Sequence, residues 1–200
     1  MVEIWFEFAS TYSYLTVSRA EPLLQRAGVG FVWRPFLLGP IFRGKGMETS
    51  PFVLDPVKGA HMWRDLERRS ALYGLPFARP PIFPMNGLGA ARLMTAALGQ
   101  PGCGAFARAV FAAQFARGAD IASETVLREA IQGSGADPDH WLERARQDEV
   151  KRALRARTEE AQARGIFGAP SFLVGSELFW GNDRLEDAIA WAAGAAGQGG

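Results

Sequence analysis

Apolar positions at the start of the chain follow first the two-residue period of a strand and then the longer period of a helix. Residues 2–8 alternate between apolar and polar side chains, which predicts a β-strand. Residues 12–27 place apolar side chains at helical spacing and predict a helix that ends at Gly28. Residues 29–36 predict a second strand. A connection this short implies a right-handed crossover between two parallel strands.

Helical periodicity dominates the middle of the chain. Residues 37–57 are rich in glycine and proline, and their pattern predicts no regular element. A Pro-dense loop, ARPPIFPMNG, separates the first of the later helices from the second. These helices are predicted over residues 59–73, 87–99, 104–117, 123–133 and 138–163.

Strand patterns return at the end of the chain. Residues 171–175 and 177–180 are separated so closely that they predict an antiparallel hairpin. A final helix is predicted over residues 184–194, with Asn182 or Asp183 as its N-cap.

The order of these elements predicts the fold class. It is β-α-β, then a block of helices, then α-β-β-α, and without the block it matches a thioredoxin-like core. We therefore expect an α/β protein, a thioredoxin-like fold with a large all-helical insertion. Residues 1–38 and 160–200 would form a discontinuous thioredoxin-like domain, and residues 39–159 the helical insertion domain.

Charge and composition exclude several functions. The 22 basic and 21 acidic side chains give a net charge of +1, without a basic run, so no nucleic-acid partner is expected. No apolar run approaches the ~20 residues that span a bilayer, and the chain begins on a strand pattern, so we expect no membrane partner and a cytoplasmic location. One cysteine, Cys103, and two histidines make a zinc site improbable, and no metal is expected.

The turn after the first strand is the first candidate for chemistry. Thioredoxin-like cores carry Cys-x-x-Cys there, and this chain has Ser10-Thr11-Tyr12-Ser13. Any thiol must therefore come from outside, and glutathione is the obvious candidate. Ser10 is either a simple helix N-cap or a donor to a bound thiolate, because a helix start stabilises an anion.

A second candidate, Gly168-Ala169-Pro170, lies just before the predicted hairpin. Its place in a thioredoxin-like core favours a cis bond before Pro170, although most X-Pro bonds are trans. A cis bond would let the backbone of Ala169 pair with the cysteinyl backbone of glutathione, as one strand pairs with another.

The other end of the tripeptide could be held at Trp180-Gly181-Asn182-Asp183. Helix-start amides and the Asn182 side chain would bind the γ-glutamyl carboxylate, and Asp183 its ammonium, unless the segment is only a helix cap. Lys58 would meet the glycyl carboxylate, or is a solvated surface lysine. Irregular Gly/Pro-rich segments commonly line clefts, and four residues in them are candidate substrate contacts: Phe42, Arg43, Met47 and Asn86.

Three segments together, FEFASTYSYL, KGAHMWRDLERRSALYGLPF and GIFGAPSFLVGSELFWGNDRLED, resemble the 2-hydroxychromene-2-carboxylate isomerases, relatives of the kappa-class glutathione transferases and of bacterial disulfide oxidases. The resemblance implies that Ser10 is the active-site serine beside the glutathione sulfur. It also implies that Lys58, Ala169, Pro170 and residues 180–183 form the glutathione site. The chain differs from the usual family pattern at Thr11, where proline is common, and at Met47, where asparagine is common.

The resemblance implies an enzyme that uses glutathione to isomerise 2-hydroxychromene-2-carboxylate or a similar aromatic acid. Two alternatives stay open, a kappa-like glutathione transferase or glutathione-dependent reductase, and a non-catalytic thioredoxin-like binding module. A dithiol oxidoreductase is excluded, because the chain has no Cys-x-x-Cys pair. A homodimer is expected only by analogy with the kappa-class relatives.

Overall fold

A computed structural model of the protein describes residues 1–197. Its elements follow the predicted order, with strands β1 to β4 and helices α1 to α10. The strands are β1 (Val2–Phe6), β2 (Phe31–Pro35), β3 (Ser171–Val174) and β4 (Glu177–Trp180). The helices are α1 (Thr11–Arg26), α2 (Leu38–Gly44), α3 (Pro51–Leu54), α4 (Pro56–Tyr73), α5 (Leu88–Ala97), α6 (Cys103–Arg117), α7 (Glu124–Gly133), α8 (Pro138–Arg146), α9 (Asp148–Ala163) and α10 (Leu185–Gly197).

The four strands form one mixed sheet in the order β2-β1-β3-β4. β1 and β2 are parallel, as predicted from their short crossover, and Ile4 lies opposite Trp33. β3 is antiparallel to both of its neighbours, β1 and β4. The predicted thioredoxin-like fold with many added helices is therefore confirmed, and β1 lies in the centre of the sheet.

Each face of the sheet is covered by a hydrophobic cluster. The larger cluster contains Phe6 and Phe8, which pack edge-on with ring centroids 5.4 Å apart. The smaller cluster lies on the opposite face and contains Trp5, Leu38 and Ile41, so α2 packs against the sheet. Alternation along β1 thus sends successive side chains to two different cores.

The packing of the hydrophobic core does not test the predicted division into two domains. The larger cluster joins residues of β1 and α1 with residues of α4 to α9 and of α10, so one core runs through both predicted units. The boundaries at 38 and 160 stay predictions. The last three residues of the predicted domain, 198–200, lie outside the described residues.

Two predicted segments differ from the structure. The segment 37–57, which predicted no element, contains α2 and α3. The single helix predicted over 138–163 is two helices, because Gln147 is extended, with a ψ of 142°. A new helix can begin directly after it, since Asp148 and Glu149 place acidic groups in the first turn. Within residues 1–197, no helix is long and apolar enough to cross a bilayer.

Candidate active site

A cleft of about 1100 Å³ lies between the carboxyl end of β1 and the helices α2 to α5. That size suits a small molecule together with a cofactor. The wall nearest the sheet is formed by residues 7, 9–12, 167–169 and 180–184. All of the predicted site residues line this cleft except Pro170, which is buried behind it.

Ser10 is the N-cap of α1, as one of the two hypotheses predicts. Its Oγ accepts a hydrogen bond from the N–H of Ser13 at 3.2 Å and donates to the carbonyl of Ala169 at 2.9 Å. Among the described residues, the N–H groups of Thr11 and Tyr12 have no acceptor. The start of α1 therefore presents two free amides and the positive end of its dipole to the cleft.

The loop that faces Ser10 contains the predicted cis bond between Ala169 and Pro170. The carbonyl of Ala169 points to the Ser10 hydroxyl, so it is not free for a ligand, whereas the N–H of Ala169 makes no hydrogen bond within residues 1–197. Pro170 serves the site indirectly, because its carbonyl accepts the N–H of Gly181 at 3.0 Å. That bond joins the cis loop to the segment that follows β4.

The indole of Trp180 forms one side of the cleft. The ring is 53 % exposed and packs on Phe167, with ring centroids 4.8 Å apart. It lies so close to Gly168 that a Cβ there would collide with Nε1 of the indole. Glycine at position 168 is therefore needed for the close approach of the loop to this ring.

Asn182 lies differently from its prediction. Its side chain is only 4 % exposed, and its Oδ1 accepts hydrogen bonds from Thr16 at 3.2 Å and Arg19 at 3.4 Å. Its Nδ2 donates to the hydroxyl of Tyr73 at 3.3 Å. The side chain caps no helix. Its Nδ2 keeps a second proton without an acceptor within residues 1–197, and the residue lines the cleft, so a contact with a ligand stays a prediction. The side chain fixes the segment to α1 and α4.

Asp183 is the exposed acid of the segment. It follows Gly181, whose φ of 111° requires glycine, and it belongs to a 3-10 turn over Asn182–Arg184 that has no side-chain cap. Its nearest cation is Arg184, at 3.6 Å. Arg184 also pairs with Asp187 at 2.8 Å, so Asp183 is only weakly neutralised and faces the cleft.

Lys58 lies at the rim of the cleft, near the start of α4. Its side chain is 69 % exposed and its Nζ lies 3.7 Å from the carboxylate of Asp55, the N-cap of that helix. The Asp55 charge offsets the unfavourable position of a lysine at a helix start. Both hypotheses for Lys58, ligand contact and surface lysine, are compatible with this position.

The candidate substrate contacts lie on the opposite wall. Phe42 and Arg43 belong to α2, and Met47 follows it with its N–H donating to the carbonyl of Phe42 at 2.9 Å. Asn86 lines the cleft, and its side-chain carbonyl oxygen accepts the N–H of Leu88 at 3.1 Å at the start of α5.

Two groups in the cleft were not predicted. The hydroxyl of Tyr12 donates to Asp65 at 3.0 Å, and burial together with that carboxylate raises the pKa of the phenol. Glu7 is the other, an acid that is 9 % exposed. The alternation of β1 does place Glu7 on the same face as Trp5. The residue was not predicted as a site residue, because an acid at the end of a strand usually faces water.

A cleft built from a helix start and a facing cis-proline loop at the end of a central strand is the site of a thioredoxin-fold enzyme. The chain belongs to the family of DSBA-like thioredoxin domains, whose model matches residues 1–189.

Similar proteins indicate which kind of enzyme within this family the chain resembles. The 2-hydroxychromene-2-carboxylate isomerase of Sphingobium xenophagum is 31 % identical over 92 % of this chain and 94 % of that protein. The enzyme of the same name from Pseudomonas sp. (strain C18) is 27 % identical over 96 % and 91 %. A solved 2-hydroxychromene-2-carboxylate isomerase has the same fold, with a TM-score of 0.88 at 24 % identity over 98 % and 96 % of the chains. These relatives place the chain among the isomerase enzymes of the family.

Proposed function

We propose that this protein is a glutathione-dependent cis-trans isomerase of 2-hydroxychromene-2-carboxylate or a similar aromatic acid. One observation carries the proposal. The place of the thioredoxin dithiol holds Ser10 and two free amides, and Cys103, the only cysteine of the chain, does not line the cleft. A thiol that acts here must be brought in by a small molecule.

The start of α1 would hold the sulfur of that molecule. The amides of Thr11 and Tyr12 and the helix dipole favour a thiolate over a thiol. The single proton of Ser10 now bonds the carbonyl of Ala169. On binding, this hydroxyl would turn from that carbonyl to the sulfur, where a charge-assisted hydrogen bond is stronger.

The remainder of glutathione fits the wall nearest the sheet. The free N–H of Ala169 would donate a hydrogen bond to the cysteinyl carbonyl, and Asp183 would bind the γ-glutamyl ammonium. The N–H groups of Asn182 and Asp183, which have no acceptor within residues 1–197, would bind the α-carboxylate. Lys58 would meet the glycyl carboxylate at the rim.

The opposite wall suits an aromatic acid. Phe42, Met47 and Phe52 give it apolar surface, and Arg43 and Lys45 supply cations for a carboxylate. When bound, glutathione supplies a thiolate that adds to a conjugated carbon, which turns a double bond into a rotatable single bond until the thiolate leaves. The protein would position both molecules in the cleft.

Calorimetric titration with reduced glutathione, and with S-methyl glutathione as control, tests the thiol site. We expect saturable binding that favours the free thiol and strengthens with pH as the thiolate forms. Absence of binding at millimolar glutathione would remove the thiol from the mechanism. Analysis of the product then separates isomerisation from conjugation, because isomerisation leaves the free thiol concentration unchanged.

Ser10→Ala is expected to keep the fold and slow turnover by about 10- to 100-fold, the effect of a lost hydrogen bond to a charged group. Loss of the N-cap costs about 1 kcal/mol of stability. Initial rates and thermal unfolding measure both effects, and Ser10→Thr, which keeps a hydroxyl, is the control. An unchanged rate in Ser10→Ala would mean that Ser10 acts only as the N-cap of α1.

Asp183→Ala is expected to weaken glutathione binding by about 1–3 kcal/mol, since it removes the partner of a charged ammonium. Asp187→Ala is the matched control, because Asp187 pairs with the same Arg184 but does not line the cleft. If calorimetry gives equal affinities for the two variants, the γ-glutamyl end binds elsewhere.

A further inference from the structure

A buried carboxyl group lies in the cleft and has no part in the function proposed so far. Glu7 follows β1, is 9 % exposed and lines the cleft. Its carbonyl accepts the N–H of Ser10 at 3.0 Å, so the backbone joins the two residues directly. Along β1 its side chain shares a face with Trp5, the face covered by α2.

This position lies between the two predicted halves of the site. Ser10, where the sulfur would bind, follows Glu7 by three residues. On the other side, Oε2 of Glu7 accepts the N–H of Leu38, the first residue of α2, at 2.5 Å. The same helix carries Phe42 and Arg43, the candidate contacts of the aromatic acid. Glu7 thus contacts both the turn where the sulfur would bind and the helix that carries the candidate contacts of the aromatic acid.

No cation neutralises Glu7. The basic residues on the elements around it are Arg34 of β2, Arg43 of α2, Arg92 of α5, and Lys151, Arg152, Arg155 and Arg157 of α9. Within residues 1–197, none of them forms an ion pair with Glu7. β3 carries no charged residue. Burial therefore raises the pKa of Glu7 to about 7, although the hydrogen bond from Leu38 opposes the shift.

The hydrogen bond that Glu7 accepts from Leu38 does not by itself explain why this residue is an acid. Glutamine would accept the same N–H from Leu38 without placing an ionisable group in an apolar environment. What glutamate adds is the ability to hold and release a proton near neutral pH, and a general acid or base works best under that condition.

We propose that Glu7 is the proton donor and acceptor of this cleft, an inference that rests on the proposed isomerisation. The chromene ring opens first: its C2–O bond breaks, the hydroxyl on C2 becomes a keto group, and the hydroxyl proton passes to the released phenolate oxygen. As a carbon–sulfur bond then forms at the conjugated carbon, an electron pair moves to that keto oxygen. The protonated carboxyl of Glu7 gives its proton to that oxygen and becomes a carboxylate. When the carbon–sulfur bond breaks, the pair returns to re-form the double bond, and Glu7 takes the proton back. No proton or electron is gained or lost over the cycle.

Two measurements on the wild type and on Glu7→Gln, Glu7→Asp and Glu3→Gln test the proposal. Carboxyl ¹³C NMR of the protein without glutathione should give a titration midpoint near 7 that disappears only in Glu7→Gln. Turnover of 2-hydroxychromene-2-carboxylate is then followed against pH. Glu3 is the matched control, since it lies on β1, the strand that Glu7 follows, but pairs with Arg34 and Arg164 outside the cleft.

In Glu7→Gln we expect kcat to fall by about 10²-fold or more, the usual contribution of a general acid, while glutathione affinity changes less than about twofold. The inflection of kcat near pH 7 should vanish. Glu7→Asp should keep an inflection at a lower rate, and it decides the matter if Glu7→Gln does not fold. Glu3→Gln should match the wild type.

An unchanged kcat in Glu7→Gln, or a carboxyl midpoint near 4.5, would overturn this role while leaving the isomerase intact. A wild-type protein that binds glutathione but does not isomerise the acid would instead overturn the proposed function, and this role with it.

Discussion

Replacing Glu7 by glutamine is expected to raise the free energy of unfolding by about 3 kcal/mol at pH 8 and by less than about 1 kcal/mol at pH 5. The pKa of Glu7 rises from 4.5 to about 7 in the folded protein, because the carboxyl is buried without a cation. The folded state therefore binds this proton more tightly than the unfolded chain. The stabilisation is complete below pH 4.5 and is lost as the pH rises through 7. Glutamine does not ionise, so the Glu7→Gln variant does not lose this stabilisation as the pH rises.

Urea unfolding of the wild type, Glu7→Gln and Glu3→Gln between pH 5 and pH 8 measures this difference. Comparing variants at each pH cancels the contribution of every other titrating group. Glu3→Gln should show no gain, since it removes an ion pair with Arg34 and Arg164. A stability difference between Glu7→Gln and the wild type that does not depend on pH would mean that Glu7 has the same pKa in both states.

Asn182→Ala is expected to cost about 2–4 kcal/mol of stability, the penalty of leaving buried polar groups without partners. The Thr16 hydroxyl, which is fully buried, would lose its acceptor, and Tyr73 would lose a donor. Arg19 stacks 3.7 Å above the Tyr73 ring, pairs with Glu186 at 2.8 Å and also bonds Asn182, so it loses one of three restraints. The segment that carries Asp183 would then loosen, and glutathione affinity should fall as well.

Thermal unfolding and glutathione calorimetry measure the two effects of Asn182→Ala. Asn86→Ala is a suitable stability control, because that asparagine is exposed and makes one hydrogen bond, to the N–H of Leu88. Asn182→Asp keeps an acceptor for Thr16 and Arg19, and it should recover part of the lost stability. A loss in Asn182→Ala no larger than in Asn86→Ala would contradict the positioning role.

Local patterns were enough to predict the elements that build one wall of the cleft. The alternation of β1, the turn at Ser10 and the hairpin of β3 and β4 depend on near neighbours in sequence. So does the cap at Ser10, because an N-cap bonds an amide only three residues away. The cis bond before Pro170 was predicted from its place in the fold, not from its own sequence.

The parts that could not be predicted depend on distant partners. Asn182 turns inward because Thr16, Arg19 and Tyr73 meet it there, residues 109 to 166 positions away. Glu7 is buried because α2 covers it. The pattern of the sequence does not predict α2, because LGPIFRG contains two glycines and a proline, which disfavour a helix. Leu38 and Ile41 of that helix pack in the cluster around Trp5, and such tertiary packing stabilises a helix that its own sequence disfavours.

The central position of β1 has a consequence for the synthesis of the protein. One edge of β1 pairs with β2, which follows within 35 residues of the N-terminus, but its other edge pairs with β3, at Ser171–Val174. At the usual rates of translation, that second edge stays without its native partner for roughly 10–30 seconds. A nascent chain therefore exposes an apolar strand edge, which favours aggregation. Ribosome-released fragments that end before β3 are expected to be insoluble unless a chaperone covers β1.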